Sequence, residues 1–235
     1  MNIPWSHLWE KFKLQVFEQG GYHTILDGLK NTLIIAIGGF IIGIILGAVL
    51  AILQLLPNNK VTKVLRGFAK GYVGVFRGTP IVVQLLLGWY VLKPILGIRS
   101  ASALLWGMVI FGMNSGAYVS EIIRGGILSV DKGQMEAGRS LGLSYMKTMF
   151  KIVLPQAFKN SLPSLGNELI AIVKETSVAG FISVVDLQVA FKQQDTAYNP
   201  IICYLMLALV YIVLVLLFTA LIKLIERRMR ASDNR

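Results

Sequence analysis

The chain has 235 residues, 55% hydrophobic and 15% charged, with a mean hydropathy of +0.66. A soluble domain carries roughly 25% charge, so the composition excludes an ordinary soluble enzyme and indicates a membrane protein. The formal charge of +11 is dispersed between apolar runs and forms no single patch, so nucleic acid is excluded as a partner.

From the N-terminus, Trp5, Leu8, Trp9, Phe12 and Val16 recur at helical spacing and predict a short helix lying in the outer membrane interface, within an external segment 1–27. Asn31 to Asn59 contains no charge and is long enough for a first span, about 20 residues being needed. Gly39, Gly43 and Gly47 give it a small-residue face for close helix packing. A second span is expected from about Phe68 to Leu92. Thr79–Pro80 interrupts it, either as an unwound segment or as the start of a new helix at Pro80. Ser100 to Ser120 forms the third span. Leu162 to Val185 forms the fourth, opening at Pro163 and carrying Glu168, Lys174 and Glu175. Thr196 to Ile222 forms the fifth, followed by a basic end and a tail at 231–235. Cys203, the only cysteine, reads as a small packing residue, and with no second cysteine no intrachain disulfide forms. His7 and His23 have no neighbour at ligand spacing, so no metal site is expected.

Five crossings place the termini on opposite sides. Fifteen Lys and Arg residues fall on the side of the C-terminus and six on the other. The positive-inside rule then puts the N-terminus outside and the C-terminus in the cytoplasm. The polar stretch 131–155 lies on that cytoplasmic side. Asp131 can cap a helix from Lys132 to Leu141, Gly142 can take the left-handed conformation that ends it, and Ser144 can cap a second helix from Tyr145 to Val153 that stops before Pro155. The result is a bent, polar elbow between two spans.

Glu136–Ala137–Gly138, then Gly142, then Ile152–Val153–Leu154–Pro155 resembles the EAA loop of ABC importer permeases. Arg77–Gly78–Thr79–Pro80, Ser120–Glu121–Ile122–Ile123–Arg124–Gly125–Gly126, Val130–Asp131–Lys132–Gly133–Gln134 and Leu162–Pro163 with Leu165–Gly166–Asn167–Glu168 resemble the branch that serves polar amino acids. The third position of the loop is Gly138 where alanine is usual. A glycine there would loosen that helix by about 1 kcal/mol. The resemblance covers about Gly28 to Arg230. It implies an all-α, type I permease domain over 28–230 in a bacterial cell membrane.

By the same resemblance, Glu136, Ala137, Gly138, Gly142, Leu154 and Pro155 couple to a cytoplasmic ATPase. The implied assembly has two ATP-binding subunits holding ATP and magnesium, a second permease chain (the same or a relative) and an extracytoplasmic substrate-binding protein. The chain itself contains no G-x-x-x-x-G-K-[ST] phosphate loop, so it is not expected to be an enzyme and carries no cofactor of its own.

Charges inside a span are costly and mark function by default. Glu168 and Glu175 are seven residues apart and share a helix face, with Lys174 beside them. Asn114, Ser115 and Glu121 on the third span are candidates to complete the same cavity. Lys174 suits the carboxylate of an amino acid and a glutamate suits its ammonium. The alternative for these groups is an internal brace between helices, and for Glu121 a pair with Arg124 at i+3. Three carboxylates against one lysine favour a cationic substrate, arginine or lysine. Glutamine and cystine are the alternatives, and an ion-coupled secondary carrier is the rival class.

Overall fold

The computed structural model describes residues 5–57, 59–194 and 200–231. Among these there is no strand. Eleven helices occur in chain order: α1 (Trp5–Lys13), α2 (Gly21–Leu55), α3 (Lys60–Gly78), α4 (Ile81–Leu86), α5 (Lys93–Ile95), α6 (Ala103–Leu128), α7 (Lys132–Ser140), α8 (Tyr145–Thr148), α9 (Leu154–Glu175), α10 (Leu187–Gln193) and α11 (Pro200–Ala231). Helices satisfy their own backbone groups, which is what a chain in lipid requires. Three of them, α2, α6 and α11, are long and apolar enough to cross a membrane, and α3 with the helices after it passes the same test only as one sharply bent pair, a broken crossing or a re-entrant loop. α9, the crossing expected fourth from the sequence, carries Lys159, Glu168, Lys174 and Glu175 and is less apolar than these.

Two compact units arise. The first comprises Met1–Gly39, Pro80–Phe111 and Ile170–Phe218, and the second Phe40–Thr79, Gly112–Leu169 and Thr219–Arg235. In the first unit, Leu8, Phe12 and Val16 are buried against Leu187, Phe191, Ile202, Cys203 and Leu207. The N-terminal helix therefore docks into a core through one stripe, where the sequence suggested an interfacial helix. Its Trp5 and Trp9 stay exposed. Cys203 is a buried packing residue, as expected. In the second unit, α2 meets α6 through its glycines. A Cβ on Gly43 would stand 2.6 Å from Ser115 Oγ, and one on Gly47 2.6 Å from Val119 Cγ1.

Prolines bear on three of the boundaries expected from the sequence. Thr79 and Pro80 are both extended and separate α3 from α4, with Pro80 as the cap of α4. Both sequence readings of that dipeptide are thus present, a break and a helix start. The second elbow helix does not stop before Pro155. It passes from α8 through a π-turn, Met149–Val153, directly into α9. Pro155 lacks the N–H that an α-helical bond would use, and the π-turn just before it absorbs the mismatch. The fourth crossing accordingly begins at Leu154, and Pro163 lies inside it instead of opening it. Its α-helix ends at Glu175 and continues as a 3₁₀ segment, Thr176–Ile182, closed by Ser183 at φ 65°. The fifth crossing is helical from Pro200; its expected first residues, 196–199, and most of the tail lie outside the described residues.

Asp186 follows that segment, outside the spans, and caps α10 by accepting a hydrogen bond from the Val189 N–H at 2.9 Å. Its side chain is fully buried, and its second oxygen has no hydrogen-bond partner. Burial pushes the carboxyl up to about 6. A raised carboxylate pKa means the folded state holds the proton more tightly. This contribution to stability is largest at acid pH and is lost as pH rises through about 6. Asn caps a helix as well as Asp does. Asp186→Asn is therefore expected to raise the unfolding midpoint at pH 8 and to flatten its fall between the ordinary carboxylate range, about 4, and about 6, measured by thermal unfolding in detergent.

Gly28 offers a second test. A Cβ there would lie 2.6 Å from Ala190 Cβ and 2.7 Å from the Asp186 carbonyl oxygen, whereas Gly67 has nothing within 4 Å. Gly28→Ala should destabilise the solubilised chain by about 1–3 kcal/mol, and Gly67→Ala should leave it unchanged or slightly more stable.

Candidate functional site

The elbow is built from the expected residues. The Asp131 carboxylate accepts from the Gly133 N–H at 2.6 Å and starts α7. Gly142, at φ 81°, ends it in the left-handed region. The Leu143 N–H donates to the Gly138 carbonyl at 3.2 Å, closing the turn. Ser144 Oγ accepts from the Lys147 N–H at 3.3 Å and starts α8. Thr148 donates from Oγ1 to the Ser144 carbonyl at 3.1 Å. Arg139 adds a bond to the Leu143 carbonyl at 3.0 Å, across the bend.

Gly138 has a packing role that the sequence reading did not give it. A Cβ there would stand 2.5 Å from Thr148 Cγ2 and 3.2 Å from Ile152 Cδ1. Gly138 and Thr148 are both buried in an otherwise exposed hairpin. The glycine lets α7 lie directly against α8, so the bend is held by contact as well as by caps.

The root of the elbow is equally tied down. Val130, Val153 and Ala157 form a small core with Ile127, Met135 and Met149 packed on it. Gln156 Nε2 donates to Gln134 Oε1 at 3.2 Å, and Asn160 Nδ2 to Ser129 Oγ at 2.9 Å. Ser161 Oγ sits where a Cβ of Gly126 would fall, which fixes α6 against α9. Glu136 and Ala137 are exposed on the hairpin, as is Pro155 at the start of α9, while Leu154 is half-buried. Leu141 is 81% exposed, and Tyr145, Met146 and Phe150 share the outer surface with it. Such a crown of apolar side chains exposed on a polar hairpin is available to a protein partner or to a lipid surface. Sequence reasoning missed this crown, because its members read as ordinary helix positions until the bend turns them outward.

The intramembrane candidates divide between the two units. Lys174 and Glu175 line one cleft of about 390 Å³ in the first unit, with Ile81, Ala171, Ser177 and Val178. Ile81 is the first residue of α4 after the break at Thr79–Pro80.

Asn114, Ser115, Glu121 and Glu168 belong to the second unit. Asn114 is buried and donates from Nδ2 to the Phe76 carbonyl at 3.3 Å, joining α6 to α3. Ser115 is fully buried against Gly43, and its hydroxyl has no hydrogen-bond partner. Glu121 is held by Arg124 through both oxygens, at 3.2 Å from Nε and 2.7 Å from Nη2. The i, i+3 brace anticipated for Glu121 is what the structure contains. Arg77 lies over the Tyr118 ring at 5.2 Å. A second cleft, of about 530 Å³, is lined by Arg66, Lys70, Arg77 and Arg124 around Glu121. The sequence offered a signal for it in the helical spacing of Arg66, Lys70 and Arg77 along α3.

Residues 39–231 match the family of binding-protein-dependent transport system inner membrane components, and the chain belongs to that family. The arginine transport system permease of Bacillus subtilis (strain 168) is 40% identical over 89% of this chain and 94% of its own length. A putative glutamine transport system permease of Rickettsia typhi is 39% identical over 87% and 92%, and the L-cystine transport system permease of B. subtilis 34% over 97% and 96%. Among solved structures, an amino acid ABC transporter described with histidines superposes with a TM-score of 0.79, at 36% identity, over 88% of this chain and 94% of that one. An inward-facing methionine ABC transporter superposes at 0.68 with 19% identity, over 88% and 95%, a likeness of fold. The chain is thus a permease of the amino-acid ABC importer class, with the type I permease fold.

Gly138→Ala tests how the elbow is held. It is expected to lower coupled transport, because Thr148 must move. Adding Thr148→Ser, which removes the Cγ2 methyl, should recover most of that loss in a proteoliposome uptake assay.

Proposed function

We propose that this chain is one of two transmembrane subunits of an ATP-driven importer for polar amino acids, with its elbow seated in a separate cytoplasmic ATPase. The observation that carries this reading is the elbow itself. It is rigid, capped at both helices, anchored to α6 and α9, and apolar on its outer surface. A hairpin fixed in this way passes force from a soluble motor to helices in lipid. The second permease chain is the same chain or a relative. An extracytoplasmic binding protein delivers the cargo, and the ATPase pair holds ATP and magnesium. The excess of basic residues toward the C-terminal side supports a cytoplasmic C-terminus and an external N-terminus. Membership in a family of binding-protein-dependent systems weighs against an ion-coupled carrier.

The cargo site is the cleft of Lys174 and Glu175. Their charges suit a zwitterion, the ammonium meeting the α-carboxylate and the carboxylate meeting the α-ammonium. The balance of charge bears on the side chain. Glu121 is neutralised by Arg124, so the carboxylate excess that favoured arginine or lysine does not gather at this cleft. One cation and one anion match an amino acid with a neutral polar side chain, glutamine first. A cationic substrate remains the second reading, supported by the likeness to an arginine permease; it needs a further anion from the partner chain.

Uptake of labelled glutamine and arginine into proteoliposomes containing the whole transporter separates these readings. Glutamine uptake is expected to require ATP, and arginine to compete weakly. Lys174→Gln and Glu175→Gln should each lower uptake roughly tenfold or more, the loss of one charge-assisted hydrogen bond, while the ATPase still co-purifies. Uptake driven by a sodium or proton gradient without ATP would contradict the assignment.

A further inference from the structure

The basic cleft of the second unit is left unused by the transport reading. Arg66, Lys70 and Arg77 reach it from α3, at i, i+4 and i+11 on one helical face, and Arg124 reaches it from α6. Glu121 is the one carboxylate in its lining, and Arg124 already holds both of its oxygens. The cleft therefore keeps three positive charges beyond its own neutralisation. Among the described residues, Arg66 and Lys70 form no ion pair. Cations in a membrane-spanning segment are costly unless water or an anion meets them.

We propose that this cleft is a phosphate site for the headgroup of an anionic phospholipid. An amino acid fits it poorly, because the ammonium of a zwitterion would need a carboxylate and Arg124 has taken the one present. A phosphodiester brings negative charge and acceptor oxygens without a cation. The surroundings favour a lipid over soluble phosphate. Leu55 and Val73 give the cleft an apolar wall against which an acyl chain can begin. On the opposite side of α3, Val64, Phe68 and Val75 are exposed, so the helix pairs a basic face with a face suited to hydrocarbon. Basic pockets between membrane helices on the cytoplasmic side are where acidic headgroups bind.

The test is native mass spectrometry of the whole transporter released from nanodiscs of equal phosphatidylglycerol and phosphatidylcholine. Phosphatidylglycerol should be retained in preference. Arg66→Gln with Lys70→Gln should weaken that retention roughly thirtyfold, about fivefold per basic group. Lys70→Gln alone serves if the double variant fails to assemble, with about a fivefold loss. Lys223→Gln with Arg227→Gln, which removes as much charge elsewhere, should leave retention unchanged. Equal retention of the two lipids, or retention unaltered by the cleft variants, overturns the proposal. Displacement of the bound lipid by excess inorganic phosphate overturns it too, and assigns the cleft to a soluble phosphate.

Discussion

The contact between Gly138 and Thr148 is the constraint on which the functional geometry depends. Two short helices of 9 and 4 residues are too short to be stable alone, since isolated helices below about 12–15 residues are marginal in water. They persist because Gly138 of α7 lies directly on the Thr148 side chain of α8, and because Gly142 turns the chain without strain. Around that contact, caps at Asp131 and Ser144 and the bonds of Gln156 and Asn160 tie the hairpin to α6 and α9. A displacement at the tip is then carried to its root, because packed interiors deform little.

The long helices were legible in the sequence because apolar length is a strong signal, and the elbow because caps and a left-handed glycine have local signatures. Gly142 needs no knowledge of the rest of the molecule; Gly138 does. Its purpose depends on Thr148, ten positions away, so a local scale reads it as a weak helix former. Pro155 and Pro163 misled for a related reason. Proline ends a helix by propensity, yet a π-turn comes just before Pro155, and α9 runs on through Pro163. Propensity is a weak prior that tertiary context overrides.

The polar residues within the spans show the same limit. Periodicity placed Asn114, Ser115 and Glu121 on one helix, but it does not say what a polar group meets. Asn114 meets a backbone carbonyl of α3, Ser115 a glycine of α2, and Glu121 an arginine of its own helix. These contacts belong to helix packing. Lys174 and Glu175 differ in opening on a cleft, next to a helix that starts afresh after an extended dipeptide. A broken helix is tolerated in a membrane where its backbone is buried in protein or lines a cavity, and the proposed cargo site rests on that juxtaposition.

The elbow's seat is tested most directly by cross-linking in intact cells. With Cys203→Ser as background, a cysteine is placed at Leu141, 81% exposed at the bend, and a second on the surface of the co-expressed ATPase. The account expects a disulfide between the two proteins when a membrane-permeant oxidant is added to take up the two electrons, changed in yield by ATP, and no labelling of the Leu141→Cys thiol by a membrane-impermeant reagent added outside. Labelling from outside, with no cross-link in any nucleotide state, would contradict it.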